Sequence, residues 1–180
     1  MLEVEMKFKV TMPERIQEQL NIMGFLPGEK HFESDRYYNA PDRDFAQSDE
    51  ALRIRQVGDE SQLTYKGPKQ GAKGKVRTEH EVQLNEGSAR MMHQILVDLR
   101  YKPSIEVNKE RTFYRHLAQK DIEIAWDEVQ GLGTYIELEL KVPEGDQAEA
   151  LFCLQSLAES MGLRQEERRS YLELLLHQKA

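Results

Sequence analysis

One cysteine in 180 residues, a single tryptophan and no surplus of positive charge limit what this chain is built to do. With Cys153 alone there is no internal disulfide framework, a usage that fits a reducing cytosol. Cys153 lies among Leu151, Phe152, Leu154 and Leu157 in a helical pattern and reads as a packing residue. The net charge is −7 and the pI near 5.4, which argues against a nucleic-acid binder working through bulk electrostatics, because such domains are usually basic. No apolar run approaches the roughly 20 residues that cross a bilayer as a helix. Met1 leads directly into a strand pattern, without the layout of a signal peptide. The expectation is a soluble, cytoplasmic protein with neither a membrane nor a nucleic acid as partner. The length fits one domain, residues 1–180, and no linker divides it.

Familiar catalytic signatures are missing too. The glycine-rich stretch from Gly67 to Lys75 resembles a phosphate loop in composition but lacks the Gly-x-x-x-x-Gly-Lys-Ser/Thr spacing. It reads as a solvated hairpin loop, or as one that steers anions through Lys69, Lys73 and Lys75. His31, His80, His93, His116 and His177 have no metal-ligand spacing, and no Ser/His/Asp arrangement or nucleophilic cysteine stands out.

What is present is alternation. In residues 1–10, Leu2, Val4, Met6, Phe8 and Val10 share one side of a strand, while Glu3, Glu5, Lys7 and Lys9 share the other. Further strands are predicted at 30–40, 51–57, 61–66, 76–84, 104–116, 121–129 and 134–142. Helices are predicted from Pro13 to near Gly24, over 88–99 behind Ser88 as a cap, over 146–161 and over 170–177, with Thr11 or a neighbour capping the first. Two groups of strands each end in helix, with no strand-helix-strand alternation of the parallel kind.

The first strand's plan recurs. Arg53 and Arg55 oppose Leu52 and Ile54; Arg77, Glu79 and Glu81 oppose Val82 and Leu84; Asp127 opposes Ile122, Ile124 and Trp126; Glu137, Glu139 and Lys141 oppose Ile136, Leu138, Leu140 and Val142. Glu-x-Glu pairs occur as Glu3/Glu5, Glu79/Glu81 and Glu137/Glu139, and basic pairs as Lys7/Lys9, Arg53/Arg55 and Lys109/Arg111. A solvated face tolerates Ser, Thr, Gln and Asn as readily as charge, so this near-uniform ionic choice needs a cause. One cause is an antiparallel β-barrel of about eight strands whose charged face points inward and whose apolar face is covered by helices. Such an interior holds water, cations and an anionic ligand, because unpaired buried charge is costly. Paired carboxylates suit Mg²⁺ or Mn²⁺, and Arg and Lys suit phosphate oxygens. Parity alone leaves an open, solvated sheet equally in play.

Glu3-Val-Glu-Met-Lys7 resembles the Glu-x-Glu-x-Lys signature of the CYTH superfamily, the triphosphate tunnel metalloenzymes. Further matches follow in order: Asp35-Arg-Tyr-Tyr38, Glu50-Ala-Leu-Arg-Ile-Arg55, Leu63-Thr-Tyr-Lys-Gly-Pro68, Glu79-His-Glu81, Lys109-Glu-Arg111, Asp127 to Gly133, Glu137-Leu-Glu139 and Arg169-Ser-Tyr-Leu172. The resemblance implies an α+β fold, an eight-stranded antiparallel β-barrel forming a tunnel with a charged interior and helices outside. It implies that Mg²⁺ or Mn²⁺ is held by carboxylates among Glu3, Glu5, Glu79, Glu81, Asp127, Glu137 and Glu139. It assigns triphosphate binding to Lys7, Arg53, Arg55, Lys66, Lys109 and Arg111, and the charged-face pattern adds Lys9 and Arg77. Lys7, Arg53, Lys109 and Arg111 are the candidates for catalysis. All these side chains, on this reading, face one cavity.

His31, the stretch Asp35 to Arg53, Gly131-Leu-Gly133 and Arg169-Ser-Tyr171 look most like the class IV adenylyl cyclase branch, which implies ATP as substrate and cyclic AMP and pyrophosphate as products. The Arg53/Arg55 pair and Lys66-Gly-Pro68 also look like the triphosphatases, whose substrates include thiamine triphosphate and tripolyphosphate. A non-catalytic phosphate-binding module is a third reading, which the full set of acids and bases disfavours. The expected partner is a nucleoside or other triphosphate, and a homodimer is compatible with the pattern.

Overall fold

The alternation of the first ten residues is realised as a strand, β1 (Leu2–Lys9), in a computed structural model that describes residues 2–68, 78–119, 121–143 and 145–179. Then follow α1 (Pro13–Ile22), β2 (Phe25–Asn39), α2 (Phe45–Ser48), β3 (Ala51–Val57), β4 (Glu60–Lys66), β5 (Glu79–Leu84) and α3 (Ser88–Asp98). The chain continues with β6 (Lys102–His116), β7 (Ile122–Val129), β8 (Gly133–Val142), α4 (Gln147–Ser160) and α5 (Tyr171–Lys179). The fold is α+β, with eight strands in the order β1-β8-β7-β6-β2-β3-β4-β5. The pairs β1/β8, β7/β8, β2/β3, β3/β4 and β4/β5 are all antiparallel. None of the described helices is long and apolar enough to cross a membrane.

The chain forms two compact units, the first from 1–30 and 110–169, the second from 31–109 and 170–180, so β2 and β6 each run from one into the other. In the first unit, Val4, Met6 and Phe8 of β1, Ile124 and Trp126 of β7 and Ile136 and Leu138 of β8 form the core. Ile16 and Leu20 of α1 and Ala150, Leu154, Leu157 and Ala158 of α4 close it. Each of the Val, Leu, Ile, Met and Phe side chains among them, fully buried, contributes about 1.5 to 3 kcal/mol. The second unit has a smaller core of Tyr38, Ala40, Phe45, Leu52, Ile54, Leu84 and Leu96, with Leu63, Tyr65 and Met92 against it.

Several local details differ from the expectations. β2 begins at Phe25, not near residue 30, because Phe25 is 1% exposed in the first core and anchors the strand ahead of Pro27-Gly28. Gly24 makes that entry possible. Its φ is +84°, and a Cβ there would meet the His116 ring at 2.8 Å. The helical turn α2 escapes the periodicity reading because it spans only four residues, held by Asp44 accepting from the Ala46 N–H and Asn39 accepting from the Phe45 N–H. β6 starts two residues early. Met12, not Thr11, precedes α1 and makes no side-chain cap bond, while Gly87 rather than Ser88 precedes α3. Cys153 is exposed beside Phe152, on the side of α4 away from Ala150, Leu154 and Leu157. The anion-steering lysines 69, 73 and 75 and the start of the predicted strand at residue 76 lie outside the described residues.

Candidate functional site

In the first unit, the register between β1 and β8 puts the ionic residues opposite one another: Glu3 faces Lys141, Glu5 faces Glu139, Lys7 faces Glu137 and Lys9 faces Tyr135. Across β8 the rows continue on β7, where Glu123 faces Glu139, Ala125 faces Glu137 and Asp127 faces Tyr135. Ala125, with no side chain beyond Cβ, leaves room for a long side chain in its row. Arg111 of β6 reaches Glu137, the residue opposite Ala125. The Arg111 guanidinium donates to both oxygens of Asp127, at 2.6 and 2.5 Å, and also to Glu137. Lys7 Nζ lies 3.9 Å from the other Glu137 oxygen. Arg111, Asp127, Glu137 and Lys7 are all buried, Asp127 completely.

The next row is unlike this one. Glu3, Glu5 and Glu139 bring carboxylate oxygens within 4.8 Å of one another. Burial pushes the Glu139 carboxyl up to about 8, reinforced by repulsion from Glu5, Glu137 and Glu3 and partly offset by Arg111. Crowded hard-oxygen donors that repel each other fit a Mg²⁺- or Mn²⁺-sized cation, which relieves that repulsion. Of the seven carboxylates expected to hold metal, these three therefore form one group, whereas Asp127 and Glu137 are engaged by Arg111. Lys9 is exposed, with its ammonium 5.8 Å from the centre of the Tyr135 ring.

The edge of β1 away from β8 is met by a segment that carries no alternating or helical pattern. Phe8 bridges to Glu166, and the Glu167 N–H donates to the Lys7 carbonyl at 2.7 Å. The Glu167 carboxyl is lowered to about 2 by hydrogen bonds from Arg169 chiefly, with Lys7 adding attraction.

In the second unit the balance of charge is reversed. On β2 and β3, Asp35 faces Arg55 and Tyr37 faces Arg53. Asp35 receives two hydrogen bonds from Arg55, at 2.6 and 2.7 Å, and one from Arg53 at 3.2 Å. Burial alone raises a carboxyl, yet Arg53, Arg55 and Lys109 overcome it and hold Asp35 well below the usual carboxylate range. Glu33 lies 3.1 Å from Lys109 and 3.5 Å from Arg55, and its other oxygen is 2.9 Å from His31 Nε2. Lys109 also sits 5.4 Å from the centre of the Tyr171 ring. The Arg53 Nε is buried and finds no acceptor among the described residues.

Further along, Lys66 pairs with Glu79 at 2.9 Å, and Thr64 donates to Glu81 at 3.3 Å, both across the β4/β5 register. Glu79 and Glu81 are exposed. Arg77 lies outside the described residues. Glu33 and Asp35 are the buried groups that the residue-by-residue assignment left without a role. Their signal is the same alternation that marked the other strands, applied to β2, where two acids stand at i, i+2.

Comparison with known proteins agrees with this architecture. Residues 1–171 match the CYTH domain family. The chain is 36% identical over 177 residues to a Methanocaldococcus jannaschii protein named "Putative adenylate cyclase MJ0240", covering 97% of this chain and 98% of that one. The PH1819 protein of Pyrococcus horikoshii superposes with a TM-score of 0.86 at 39% identity, over 98% and 99% of the two chains. The same fold, with a TM-score of 0.70 at 18% identity over 99% and 97%, is found in HpAC1 of Hippeastrum, a protein described as revealing a dominant triphosphatase activity. Family match, extended identity and fold coincide over almost the whole length, and the chain belongs to the CYTH domain family.

Proposed function

We propose that the chain is a metal-dependent enzyme acting on a triphosphate, and that its reaction is the conversion of ATP to cyclic AMP and pyrophosphate. The observation that carries the triphosphate reading is the cationic set Arg53, Arg55 and Lys109, semi-buried to buried, with a buried Arg53 Nε–H that has no acceptor among the described residues. A polyanion supplies that acceptor. The relative named as an adenylate cyclase, 36% identical over nearly the full chain, favours ATP.

In this reaction the ribose 3′-oxygen attacks the α-phosphorus, its proton passes to a carboxylate or to water, and the bond to the pyrophosphate oxygen breaks. Arg53, Arg55 and Lys109 bind phosphate oxygens and offset the charge that builds on the departing pyrophosphate. Lys66 adds to that grip. Lys7 and Arg111 are held by Glu137 and Asp127 and carry fixed positive charge beside the carboxylate row. Glu3, Glu5 and Glu139 would hold Mg²⁺ or Mn²⁺, which when bound supplies charge neutralisation and activates the attacking oxygen. The single cysteine accords with a cytoplasmic setting.

Every group described so far addresses phosphate or metal and none reads a base. That observation favours a second reading, in which water attacks the terminal phosphorus of tripolyphosphate or thiamine triphosphate. The two are separated by incubating the protein with ATP, tripolyphosphate and thiamine triphosphate plus Mg²⁺ or Mn²⁺ and resolving the products. Cyclic AMP and pyrophosphate from ATP are expected; orthophosphate from tripolyphosphate, with no cyclic AMP under either metal, would reject cyclisation in favour of hydrolysis.

A further inference from the structure

Two arginines at i, i+2 on β3 repel each other, and each has a long side chain with many rotamers. Left alone, Arg53 and Arg55 would point apart and present no fixed donor array. Asp35 prevents this. Its carboxylate, 2% exposed, receives the Nε–H and one terminal N–H of Arg55 in a two-bond fork and a terminal N–H of Arg53 on the same side. The antiparallel register that sets Asp35 opposite Arg55 makes the fork available without distortion. Two residues earlier on the same face, Glu33 does the same for Lys109, placing one oxygen 3.1 Å from its ammonium. The geometry thus spends each carboxylate on orienting cations while leaving the Arg53 Nε–H without an acceptor among the described residues.

We propose that Asp35, assisted by Glu33, is a positioning residue that fixes Arg53, Arg55 and Lys109 in the arrangement that receives the triphosphate. The inference rests on the triphosphate reading for its ligand, but its structural half stands apart from it. A carboxylate that merely neutralised charge would weaken anion binding, since it sets a negative group beside the phosphates. Removing such a group tightens binding; removing a positioning group loosens it. The sign of the effect therefore distinguishes the roles.

The test is tripolyphosphate binding by calorimetry to the full chain, as wild type, Asp35→Asn, Arg55→Ala and the double variant. Asp35→Asn keeps the shape but loses the second acceptor, and affinity is expected to fall roughly tenfold. The double variant is expected to lose less than the sum of the two single losses, because part of Asp35's effect runs through the Arg55 guanidinium and the rest through Arg53. Unchanged or tighter binding by Asp35→Asn, or fully additive losses, would overturn the proposal. A second readout uses no ligand: the arginine Nε–Hε signals in nitrogen-edited NMR of the wild type and of Asp35→Glu, which keeps the charge and moves the carboxylate by one methylene. The Arg55 Nε–H is expected to be slowly exchanging in the wild type and fast in the variant. Equal exchange would overturn the proposal even if Asp35→Asn failed to fold. A wild type that ignores tripolyphosphate would sink the triphosphate reading itself, and the exchange comparison would then decide alone whether Asp35 orders Arg55.

Discussion

The two compact units share one design, an ionic sheet face backed by an apolar one, yet they use it in opposite senses. In the first, carboxylates are in excess: Arg111 and Lys7 are taken up by Asp127 and Glu137, and Glu3, Glu5 and Glu139 crowd together with Glu139 pushed up to about 8. In the second, cations are in excess: Asp35 is shared by Arg53 and Arg55, Glu33 serves Lys109, and a buried Arg53 N–H has no acceptor among the described residues. The same alternation therefore leaves carboxylates in excess in one unit and cations in excess in the other. What differs is the sign left over after internal pairing.

The largest expected effect breaks the first unit's pairing. Arg111→Ala leaves Asp127, fully buried, and Glu137 without their guanidinium, and removing one partner of such a group costs about 3 to 5 kcal/mol. Urea unfolding should show a loss of unfolding free energy of that size. A shift under 1 kcal/mol would mean that the carboxylates find other partners.

Next in size is the loss of grip in the second unit. On the proposed triphosphate reading, Arg53→Ala and Lys109→Ala each remove a charge-assisted contact to phosphate, expected to lower kcat/KM by roughly tenfold to a hundredfold, or about 1.5 to 3 kcal/mol. Circular dichroism should report a folded chain in both, since Arg55 remains on Asp35 and the apolar core is untouched. Wild-type rates in either variant would remove these residues from the reaction.

Much of this contrast was legible in the sequence. The alternation in 1–10, 51–57, 121–129 and 134–142 placed the ionic and apolar faces correctly, because a strand's period of two leaves each residue only two directions. Leftover charge was not legible. Asp127 and Glu137 looked like metal ligands beside Glu3, Glu5 and Glu139, and only cross-strand register shows that Arg111 reaches two of them past Ala125. Register depends on turns and bulges elsewhere in the chain, so composition of a strand does not reveal it. Glu167, docked on β1 through its backbone, carries no side-chain pattern at all. The early start of β2 was hidden by Pro27-Gly28, which in isolation reads as a turn and here is overridden by the burial of Phe25.

A further expected effect is a pH slope. Glu139 has its carboxyl raised from 4.5 to about 8, so the folded chain keeps a proton that the unfolded chain releases. Its contribution to stability is intact below about 4.5 and is lost as pH rises to about 8. Without metal, the Tm should fall across that interval, and Glu139→Gln should flatten the fall. Glu50 works in the other direction: lowered to about 2 by Arg43 chiefly, with Ser48 and Tyr65, it contributes above 4.5 and is lost as pH drops toward 2. A Glu139→Gln curve parallel to the wild type would show that the carboxyl row is not strained.

The proposed division of labour between the two units is tested most directly by measuring both ligands on the same two variants. Mn²⁺ binding is followed by electron paramagnetic resonance, and tripolyphosphate binding without metal by calorimetry, in Glu5→Gln/Glu139→Gln and in Arg53→Ala. The carboxylate variant should lose Mn²⁺ and keep tripolyphosphate, while Arg53→Ala should keep Mn²⁺ and bind tripolyphosphate roughly tenfold or more weakly. Loss of both ligands in either folded variant, or loss of neither in both, would contradict it.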